Sequence, residues 1–363
     1  MKKLLKYLLI AFLTVGALTA CSTAPEEDPE PAEEKMKVAF YINGNLGDKS
    51  FFDSAKVGLD AAVAEHGIEV KIVEGGSDDT KWQPGLLDLA DGDYDIIIVG
   101  TWQMETNVQE AAELYPDTKF IIFDTTVPFD GGKNANVYSI QYKQNEGSYI
   151  AGYLAAKMTK TGVIGGVGGM NIPVINDFFV GYIEGAKMAN PDIKVAISYI
   201  DSFVDSAKGK ELALAQFNSN KADVIFQVAG NAGMGVLEAA AEAGFYGIGV
   251  DSDQAALLAE AGNTATADVI PTSVLKDVGA SLKRAIDLAL EDKVPWGSNE
   301  TLGFEANSVG IAKNQWYETL VSAELRTELE TIEADIRSGA IKVSSAMGMS
   351  TEDLDAIKAS VQP

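Results

Sequence analysis

The chain has very few of the side chains from which metal centres, disulfides and nucleophilic active sites are built. Its 363 residues include one cysteine and one histidine. One cysteine cannot form a disulfide within the chain, and one histidine gives little support to a transition-metal site. A Ser-His-Asp triad would have to use His66, which lies in the helical pattern AEHGIEV just before a glycine. We therefore expect no metal site, no cofactor and no enzymatic activity.

Basic residues are also scarce. The chain has 28 Lys and Arg against 53 Asp and Glu, which gives a formal net charge of -25. Nucleic acid and anionic lipid attract proteins with an excess of positive charge, so neither is expected as a partner. An acidic surface keeps a protein soluble, and by itself it identifies no ligand.

Apolar runs long enough to cross a bilayer, which takes about 20 residues, are absent after residue 20. Residues 1–20 have a basic start, an apolar middle and a small-residue end, a pattern typical of a secretory signal peptide. The sequence LTAC, ending at Cys21, resembles a bacterial lipobox. An ordinary signal peptide with a chance cysteine and an N-terminal anchor helix are the alternatives. We expect a protein held by lipid on Cys21 to the extracytoplasmic face of the cell membrane.

Residues 21–35 contain proline, alanine and six acidic residues without apolar periodicity. Such a composition cannot bury a core, so we expect a disordered acidic linker. Removal of the signal peptide would remove Lys2, Lys3 and Lys6 and leave the mature chain with a net charge near -28.

The rest of the chain alternates short β-rich runs with helical patterns. About 330 residues follow the linker, a length that suggests two domains. Continuous apolar strands that alternate with amphipathic helices indicate an α/β protein whose parallel sheets are covered on both faces. The candidate strands are VAFYI, VKIVEG, YDIIIVG, KFIIFD, VYSIQY, GVIGGVG, KVAISYID, DVIFQVA, YGIGVD and ATADVI.

A weak internal repeat supports two similar domains. Asp95 begins DIIIVG and is followed fifteen residues later by Glu110-Ala-Ala, while Asp223 begins DVIFQV and is followed at the same distance by Glu238-Ala-Ala. Each unit then continues into a strand that ends in aspartate, either Asp124 or Asp251. In open parallel sheets, ligands bind outside the carboxyl ends of the strands, so two such sheets facing each other predict a cleft with a binding site.

The sequence motifs of common enzymes do not fit. The run GNLGDKS resembles a P-loop, but Asp48 stands between Gly47 and Lys49, where the motif requires glycine next to lysine. The dinucleotide-binding fingerprint GxGxxG and the nucleophile elbow GxSxG are absent. A binding protein is therefore favoured over an enzyme.

The stretch GDKSFFDSA places two phenylalanines at the start of a helical pattern. Ser50 and Asp53 fit a capping box, in which the serine caps the helix and the aspartate reaches back to it. Phe51 and Phe52 are then the first helical residues, about 100° apart around the axis. We expect one ring to pack in the core and the other to face the cleft.

The same stretch resembles the GDKSFNDSA element of the basic membrane protein family, the purine-nucleoside-receptor lipoproteins of ABC importers. The segments NEGSYIAGYLAAKMTKTGVIGGVGG, DSFVDSAKGKELA, DVIFQVAGNAGMGVLEAA, GVDSDQ and TSVLKDV follow in the family's order, so the resemblance covers nearly the whole mature chain. It implies a monomeric protein that binds a nucleoside and delivers it to the importer's membrane subunits. The family further implies that this nucleoside is a purine nucleoside.

The resemblance also implies the type I periplasmic-binding-protein fold, in which two doubly wound parallel-sheet lobes are joined by a three-segment hinge. The expected N-terminal lobe comprises residues 36–142 and about 262–292. The expected C-terminal lobe comprises residues 143–261 and about 302–363. The hinge segments are then expected near residues 141–145, 251–261 and 292–301.

Several roles are implied for individual residues by the family. Phe51 and Phe203 would enclose the base, while Asp251, Lys276 and the backbone of Gly230 would hold the ribose. Aromatic faces suit a flat heterocycle, and carboxylate and ammonium groups suit hydroxyl groups. Asp124, at the corresponding strand end of the first domain, would accept a hydrogen bond from the base edge, and Cys21 would be diacylated.

The chain departs from the family at two positions. Phe52 stands where relatives carry an asparagine, and Ile42 stands where an aspartate is expected, with Asn43 beside it. These changes remove polar partners of the base edge and add aromatic surface, which Trp102 increases further. The ligand could then be riboflavin or another aromatic heterocycle. The alternative is that other polar side chains, such as Asn45, Gln103 or Asn231, replace the lost contacts.

Overall fold

The computed structural model describes residues 35–363 of the protein, which form one compact unit. The predicted signal peptide, Cys21 and the linker up to residue 34 lie outside the described residues. Within residues 35–363 no helix combines the length and the apolarity that a membrane crossing requires.

Twelve strands are present in the described part of the chain. They are β1 (Lys37–Ile42), β2 (Glu69–Glu74), β3 (Ile96–Gly100), β4 (Lys119–Phe123), β5 (Val137–Tyr142), β6 (Val163–Gly168), β7 (Lys194–Tyr199), β8 (Val224–Val228), β9 (Tyr246–Asp251), β10 (Ser273–Lys276), β11 (Ser298–Leu302) and β12 (Val309–Ile311).

Thirteen α-helices lie between or after these strands over the same residues. They are α1 (Phe51–His66), α2 (Trp82–Ala90), α3 (Glu105–Leu114), α4 (Gln144–Met158), α5 (Pro173–Ala189), α6 (Ser206–Ala215), α7 (Met234–Ala243), α8 (Gln254–Glu260), α9 (Thr264–Ala267), α10 (Val278–Leu290), α11 (Gln315–Leu320), α12 (Ala323–Ser338) and α13 (Thr351–Ala359).

The strands form two six-stranded sheets with the same internal order. The first sheet runs β11-β5-β4-β3-β1-β2 and the second runs β12-β10-β9-β8-β6-β7. All of these pairings are parallel except that of β10 with β12. In each sheet the two strands that come first in the sequence lie on one side of the third strand, and the later strands lie on its other side. This is the strand order of doubly wound folds. The predicted α/β class with two parallel sheets is confirmed.

This shared order explains the internal repeat. Asp95 and Asp223 directly precede β3 and β8, the third strand of each sheet. The amide of Asp95 donates to the carbonyl of Lys37 at the start of β1, and the amide of Asp223 donates to that of Val163 at the start of β6. The two sequence units are therefore the same strand-helix-strand element in the two sheets.

The central strands are apolar on both sides because helices cover both faces of each sheet. In β1, Val38 and Phe40 pack with Leu59 of α1, while Ala39 and Tyr41 pack with residues of α2 and α3 on the other face. All of these strand residues are buried. Such burial on both faces explains why β1 reads as one continuous apolar run.

The chain passes three times between the two sheets. The first passage follows β5, since α4 packs against α5 of the second sheet. The second follows Lys276 at the end of β10, since α10 packs against α1 of the first sheet. The third lies between β11 and β12. We call the first sheet with its helices the first lobe and the second sheet with its helices the second lobe.

Two of these passages come later in the chain than predicted. β10 pairs with β9 in the second sheet, so residues 262–276 belong to the second lobe and the passage lies after Lys276, not near residues 251–261. β11 pairs with β5, so the third passage begins after Leu302, beyond the predicted 292–301. Both shifts follow from strand pairings that local sequence patterns do not reveal.

Nine of the ten predicted strands are present, and the tenth, ATADVI, is wrong. Asn263 accepts a hydrogen bond from the amide of Thr266 and caps the short helix α9 at this place. The strand that continues the second sheet, β10, begins a few residues later at Ser273. A capping side chain thus starts a helical turn where β-forming residues suggested a strand.

Candidate functional site

Unusual backbone conformations mark the carboxyl ends of the strands in both sheets. Thr101, Asp124, Asp201 and Asp251 have φ angles of 73°, 65°, 60° and 63°, and Gly230 has 52°. Each lies at the end of a strand or within two residues of it. Left-handed backbone is uncommon for residues other than glycine and is concentrated at functional sites, because the fold must hold it in place. The two rows of strand ends are therefore the first candidates for the site.

The charged centre of the site is Lys276, the last residue of β10. Its Nζ lies 2.9 Å from Oδ1 of Asp124 and 3.6 Å from Oδ1 of Asp251. Asp124 follows β4 in the first sheet, whereas Asp251 ends β9, the neighbour of β10. Three of the residues predicted for the site are thus brought together, and they come from both lobes.

The charges of this cluster do not balance. Burial lowers the pKa of Lys276, but the adjacent carboxylates of Asp124 and Asp251 more than offset it, so the lysine stays protonated. Burial raises the pKa of Asp124, while Lys276 opposes that shift. Two carboxylates face one ammonium group, so the cluster has more hydrogen-bond acceptors than the lysine can satisfy.

Aromatic rings surround the ammonium group. The Nζ atom of Lys276 lies 4.8 Å from the ring centre of Phe51, 5.2 Å from that of Phe178 and 5.8 Å from that of Tyr142. At these distances the ring faces attract the cation and also keep water away from it. Phe51 belongs to the first lobe and Phe178 to α5 of the second, so the rings also come from both sides.

The two phenylalanines at the start of α1 lie side by side. Their ring centres are 5.0 Å apart, and Phe51 also packs at 5.2 Å against Phe123 at the end of β4. Phe52 lies over the loop backbone, since a Cβ atom added at Gly44 would stand 3.0 Å from its ring. Both rings are half-buried, so the expected division into one core ring and one cleft ring is too simple.

The predicted capping box is wrong in its choice of residues. Asp48 caps α1, because its carboxylate accepts hydrogen bonds from the amides of Ser50, Phe52 and Asp53. Asp53 reaches back to Gly47 and Lys49 rather than to Ser50. Burial raises the pKa of Asp48 to about 6, although its three backbone donors favour the ionised form.

Ser50 is free for another contact because Asp48 caps the helix. Its Oγ donates to Oδ2 of Asp251 at 2.7 Å, and thereby joins the first lobe to the second. The other oxygen of Asp251, Oδ1, is buried and has no hydrogen-bond partner among residues 35–363. A ligand that donates a hydrogen bond could satisfy it.

Asn43 lies directly after β1, next to the end of β3. Its Nδ2 donates to Oγ1 of Thr101 at 2.8 Å and to Oε1 of Gln103 at 3.3 Å. Its Oδ1 is buried and unpartnered within the described chain, and the residue is 7% exposed. The gap between these two strands is where the winding direction changes, the place at which doubly wound sheets bind ligands.

Phe203 and Gly230 lie at the corresponding place of the second sheet, beyond the ends of β7 and β8. A Cβ atom on Gly169, which follows β6, would stand 2.4 Å from the Phe203 ring, so only glycine allows this close approach. The ring also borders Gly230, and the carbonyl of Phe203 accepts from the amide of Ala232. Among the described residues, the ring contacts of Phe51 are with Phe52 and Phe123, so Phe51 and Phe203 do not touch.

The two departures from the family differ in their surroundings. Ile42 is fully buried and packs in the core with residues of α1. Phe52 adjoins Phe51 and therefore belongs to the site. Trp102 follows β3 and is 42% exposed, so the expected third ring at the strand ends is available at the surface.

Sequence reasoning missed three contributors to this site. Tyr142 and Phe178 gave no signal, because each lies within a strand or helix that reads as ordinary core. Ser50 was given the role of a helix cap, which Asp48 performs.

A groove of about 620 Å³ beside the passages, lined in part by Lys143 and Arg337, contains none of the residues predicted for ligand binding.

Comparisons with known proteins agree with this picture. A model of the family described as Bmp, ABC transporter substrate-binding protein PnrA-like, matches residues 35–342. Basic membrane protein A of Borreliella burgdorferi is 34% identical over 315 residues, which cover 86% of this chain and 88% of that protein. The ABC transporter nucleoside-binding protein BmpA of Lactococcus lactis subsp. cremoris is 29% identical over 363 residues, which cover 95% and 99%.

Solved structures agree on the fold. The solute-binding protein of an ABC transporter system from Aeropyrum pernix K1 superimposes with a TM-score of 0.78 at 22% identity, and the match covers 90% of this chain and 98% of that one. The two lobes with their repeated strand order are the type I periplasmic-binding-protein fold, as expected. Since the family model covers most of the sequence, the chain belongs to the PnrA-like substrate-binding proteins of ABC transporters, the basic membrane protein family.

Proposed function

We propose that this substrate-binding protein holds a nucleoside between its two lobes and delivers it, as a monomer, to the membrane subunits of an ABC importer. The observation that carries the proposal is Oδ1 of Asp251, a buried oxygen without a hydrogen-bond partner in the described chain. It lies 3.6 Å from Nζ of Lys276, in a cluster with Asp124 that is bordered by the ring of Phe51. These groups come from both lobes, so a ligand that contacts them all favours the closed molecule.

The charged cluster suits the sugar of a nucleoside. A vicinal diol donates hydrogen bonds, which the spare acceptors of Asp251 and Asp124 can receive, and its oxygens can accept from Lys276. A phosphate group would bring negative charge to a place where two carboxylates already face one ammonium group. The cluster therefore favours nucleosides over nucleotides.

The rings suit the base. Phe51 follows the winding-change position of the first sheet and the Phe203 ring borders that of the second, so a flat heterocycle bound in the cleft could contact both ring faces. Asn43 supplies a buried acceptor, Oδ1, for an N–H group of the base edge. Its position beside Ile42 suits Asn43 to replace the polar contact that the resemblance to the family implies at residue 42. Phe52 and Trp102 would extend the apolar surface around the base.

Relatives support this ligand class. One relative bears the name nucleoside-binding protein. The large ring surface of Phe51 with Phe52 suits a bicyclic base, so a purine nucleoside is proposed rather than a pyrimidine nucleoside. The reaction is binding and release without bond chemistry, and hinge motion at the three passages would open and close the site.

The proposal includes a lipid anchor. LTAC, ending at Cys21, resembles a lipobox, and diacylation there would hold the protein at the extracytoplasmic face of the membrane.

A thermal-shift screen tests the ligand class. Residues 35–363, which form one compact unit, would be heated with nucleosides, nucleotides, free bases, riboflavin, thiamine and sugars. A ligand at 100 times its dissociation constant adds about 2.7 kcal/mol of apparent stability, enough to raise the melting temperature by a few degrees. A shift with purine nucleosides and none with their monophosphates supports the proposal. The proposal is contradicted if only riboflavin shifts the melting temperature, or if none of the nucleosides does.

A further inference from the structure

Ser50 occupies an unusual place for a residue at a helix start. It directly precedes α1 of the first lobe and is 0% exposed. Its side chain makes no hydrogen bond to the helix amides, because Asp48 accepts from them. A buried serine hydroxyl needs a partner, and here that partner lies in the other lobe.

The contacts of Ser50 across the cleft form a small network. Its Oγ lies 2.7 Å from Oδ2 of Asp251 and 3.4 Å from the carbonyl of Val250. The single hydroxyl proton is donated to the carboxylate, which is the nearer and the charged acceptor. In return, Oγ of Ser252 donates to the carbonyl of Ser50 at 3.2 Å. The start of α1 is therefore bonded to the end of β9 in both directions.

We propose that Ser50 is a positioning residue, which holds Asp251 in its ligand-binding orientation only when the two lobes are closed. This inference rests on the proposed function, in which Asp251 contacts the ligand. Ser50 itself touches no ligand atom in this account. It acts through Asp251, whose Oδ2 it occupies.

We call the hydrogen bond between Ser50 Oγ and Asp251 Oδ2 the tie, and the geometry explains its role. Asp251 has left-handed backbone, and its two oxygens have different tasks. Oδ2 is taken by Ser50, so Oδ1 is left free of hydrogen bonds at 3.6 Å from Lys276. Without the serine hydroxyl, either oxygen of Asp251 could turn toward the lysine, and neither would be reserved for a ligand.

The tie also couples ligand contact to closure. Ser50 belongs to the first lobe and Asp251 to the second, so a hinge motion that separates the lobes at this point would break this bond. A bond that exists only in the closed state slows opening and does not speed the first encounter with a ligand. The effect of losing it therefore falls on the dissociation rate.

The test compares two serine-to-alanine substitutions on the same helix. Ser50→Ala removes the hydroxyl that crosses the cleft. Ser54→Ala is the matched control, because Oγ of Ser54 accepts from the amide of Gly279, which lies in the first lobe. Stopped-flow binding of inosine to residues 35–363 gives the two rate constants.

We expect Ser50→Ala to raise the dissociation rate about tenfold, with an association rate within about twofold of the wild type. Ser54→Ala leaves both rates unchanged. When Ser50→Ala is combined with Asp251→Asn, the loss in affinity is smaller than the product of the single losses, because the two residues act as a unit. The proposal is overturned if Ser50→Ala leaves the dissociation rate unchanged. It is also overturned if the loss in affinity of the double variant equals the product of the losses in the two single variants.

A ligand-free measurement separates this proposal from the proposed function. In protein whose two lobes are cross-linked in the closed state, hydrogen-deuterium exchange of residues 250–254 reports whether the loop is held without any ligand. Faster exchange there in Ser50→Ala than in Ser54→Ala supports the tie, even if the wild type binds no nucleoside and the proposed function fails. Equal exchange in the two variants overturns the tie, whatever the ligand is.

Discussion

Lys276 of the second lobe forms a buried ion pair with Asp124 of the first lobe, with 2.9 Å between Nζ and Oδ1. The pair joins the two halves of the molecule at the strand ends where the site is expected. Asp251 lies on the other side of the lysine and is bonded in turn to Ser50 of the first lobe. Four side chains thus form one polar chain that crosses the cleft twice.

Lys276→Met should lower both the stability and the affinity. It leaves two buried carboxylates without their shared cation, and breaking a buried pair costs about 3–5 kcal/mol of unfolding free energy. Urea denaturation measures this loss. Adding Asp124→Asn should recover part of it, because one uncompensated charge disappears.

The control for this experiment is an exposed ion pair. Lys210 lies 2.6 Å from Glu242 on the surface. Lys210→Met should leave the urea midpoint nearly unchanged, since solvent screens such pairs. Equal midpoint shifts for the two lysine variants would show that the buried ion pair of Lys276 contributes no more to stability than an exposed pair.

Phe51→Ala and Phe203→Ala should each weaken nucleoside binding at least about tenfold, because each removes a stacking face and its buried area. Titration calorimetry gives the dissociation constants. Phe217 is the matched control, since its ring stacks on Phe245 at 5.0 Å in an apolar cluster that contains none of the proposed ligand-binding residues. Phe217→Ala should lower stability and leave affinity unchanged. Unaltered affinity in both site variants would refute the enclosure of the base by these rings.

Asp251→Ala should discriminate between sugars and bases. Its free oxygen is assigned to a ribose hydroxyl, so the loss should fall on nucleosides and spare the free bases. The ratio of the two dissociation constants, for inosine and hypoxanthine, measures this in one titration series. If the substitution weakens both ligands equally, the ribose role of Asp251 is wrong.

Asp48→Ala should unfold the first turn of α1, whereas Ser50→Ala should not. The Asp48 carboxylate satisfies amides that otherwise lack partners, and losing such a cap costs about 1–2 kcal/mol. Amide exchange of Phe52 and Asp53 by NMR reports the cap directly. Loss of protection in Ser50→Ala instead would restore the capping box that the sequence suggested.

Cys21→Ser should release the protein from the membrane fraction, because the acylated thiol is the proposed anchor. Fractionation of expressing cells, together with labelling by a fatty-acid analogue, measures the release. A variant that stays labelled in the membrane would refute lipidation at Cys21.

Most of the fold follows from local sequence. Nine strands were predicted because each contains a β-rich apolar run between turn residues, and the central strands, such as β1, β3 and β8, are buried on both faces. Three strands were missed: the four-residue β10, the three-residue β12 and β11, whose sequence SNETL has no apolar run. The sheet to which β10 belongs depends on its pairing with β9, which no local pattern encodes.

The sequence predicts which residues lie at the strand ends of the candidate site, but it does not predict the hydrogen bonds and ion pairs that join them. Strand-end positions such as Asp124 and Asp251 follow from the parallel sheets, and Lys276 and Phe203 came from the resemblance to the family. The choice between Asp48 and Ser50 as helix cap could not be made from sequence, since both residue types cap helices well. The presence of Asp251 across the cleft is what assigns the serine to a different partner.

The most direct test of the account is titration calorimetry of residues 35–363 with inosine, guanosine and adenosine. We expect saturable heat at one equivalent per chain for at least one of them, and its loss in Phe51→Ala. Absence of binding heat with all three nucleosides up to about 1 mM, where only the weakest complexes form, would contradict it.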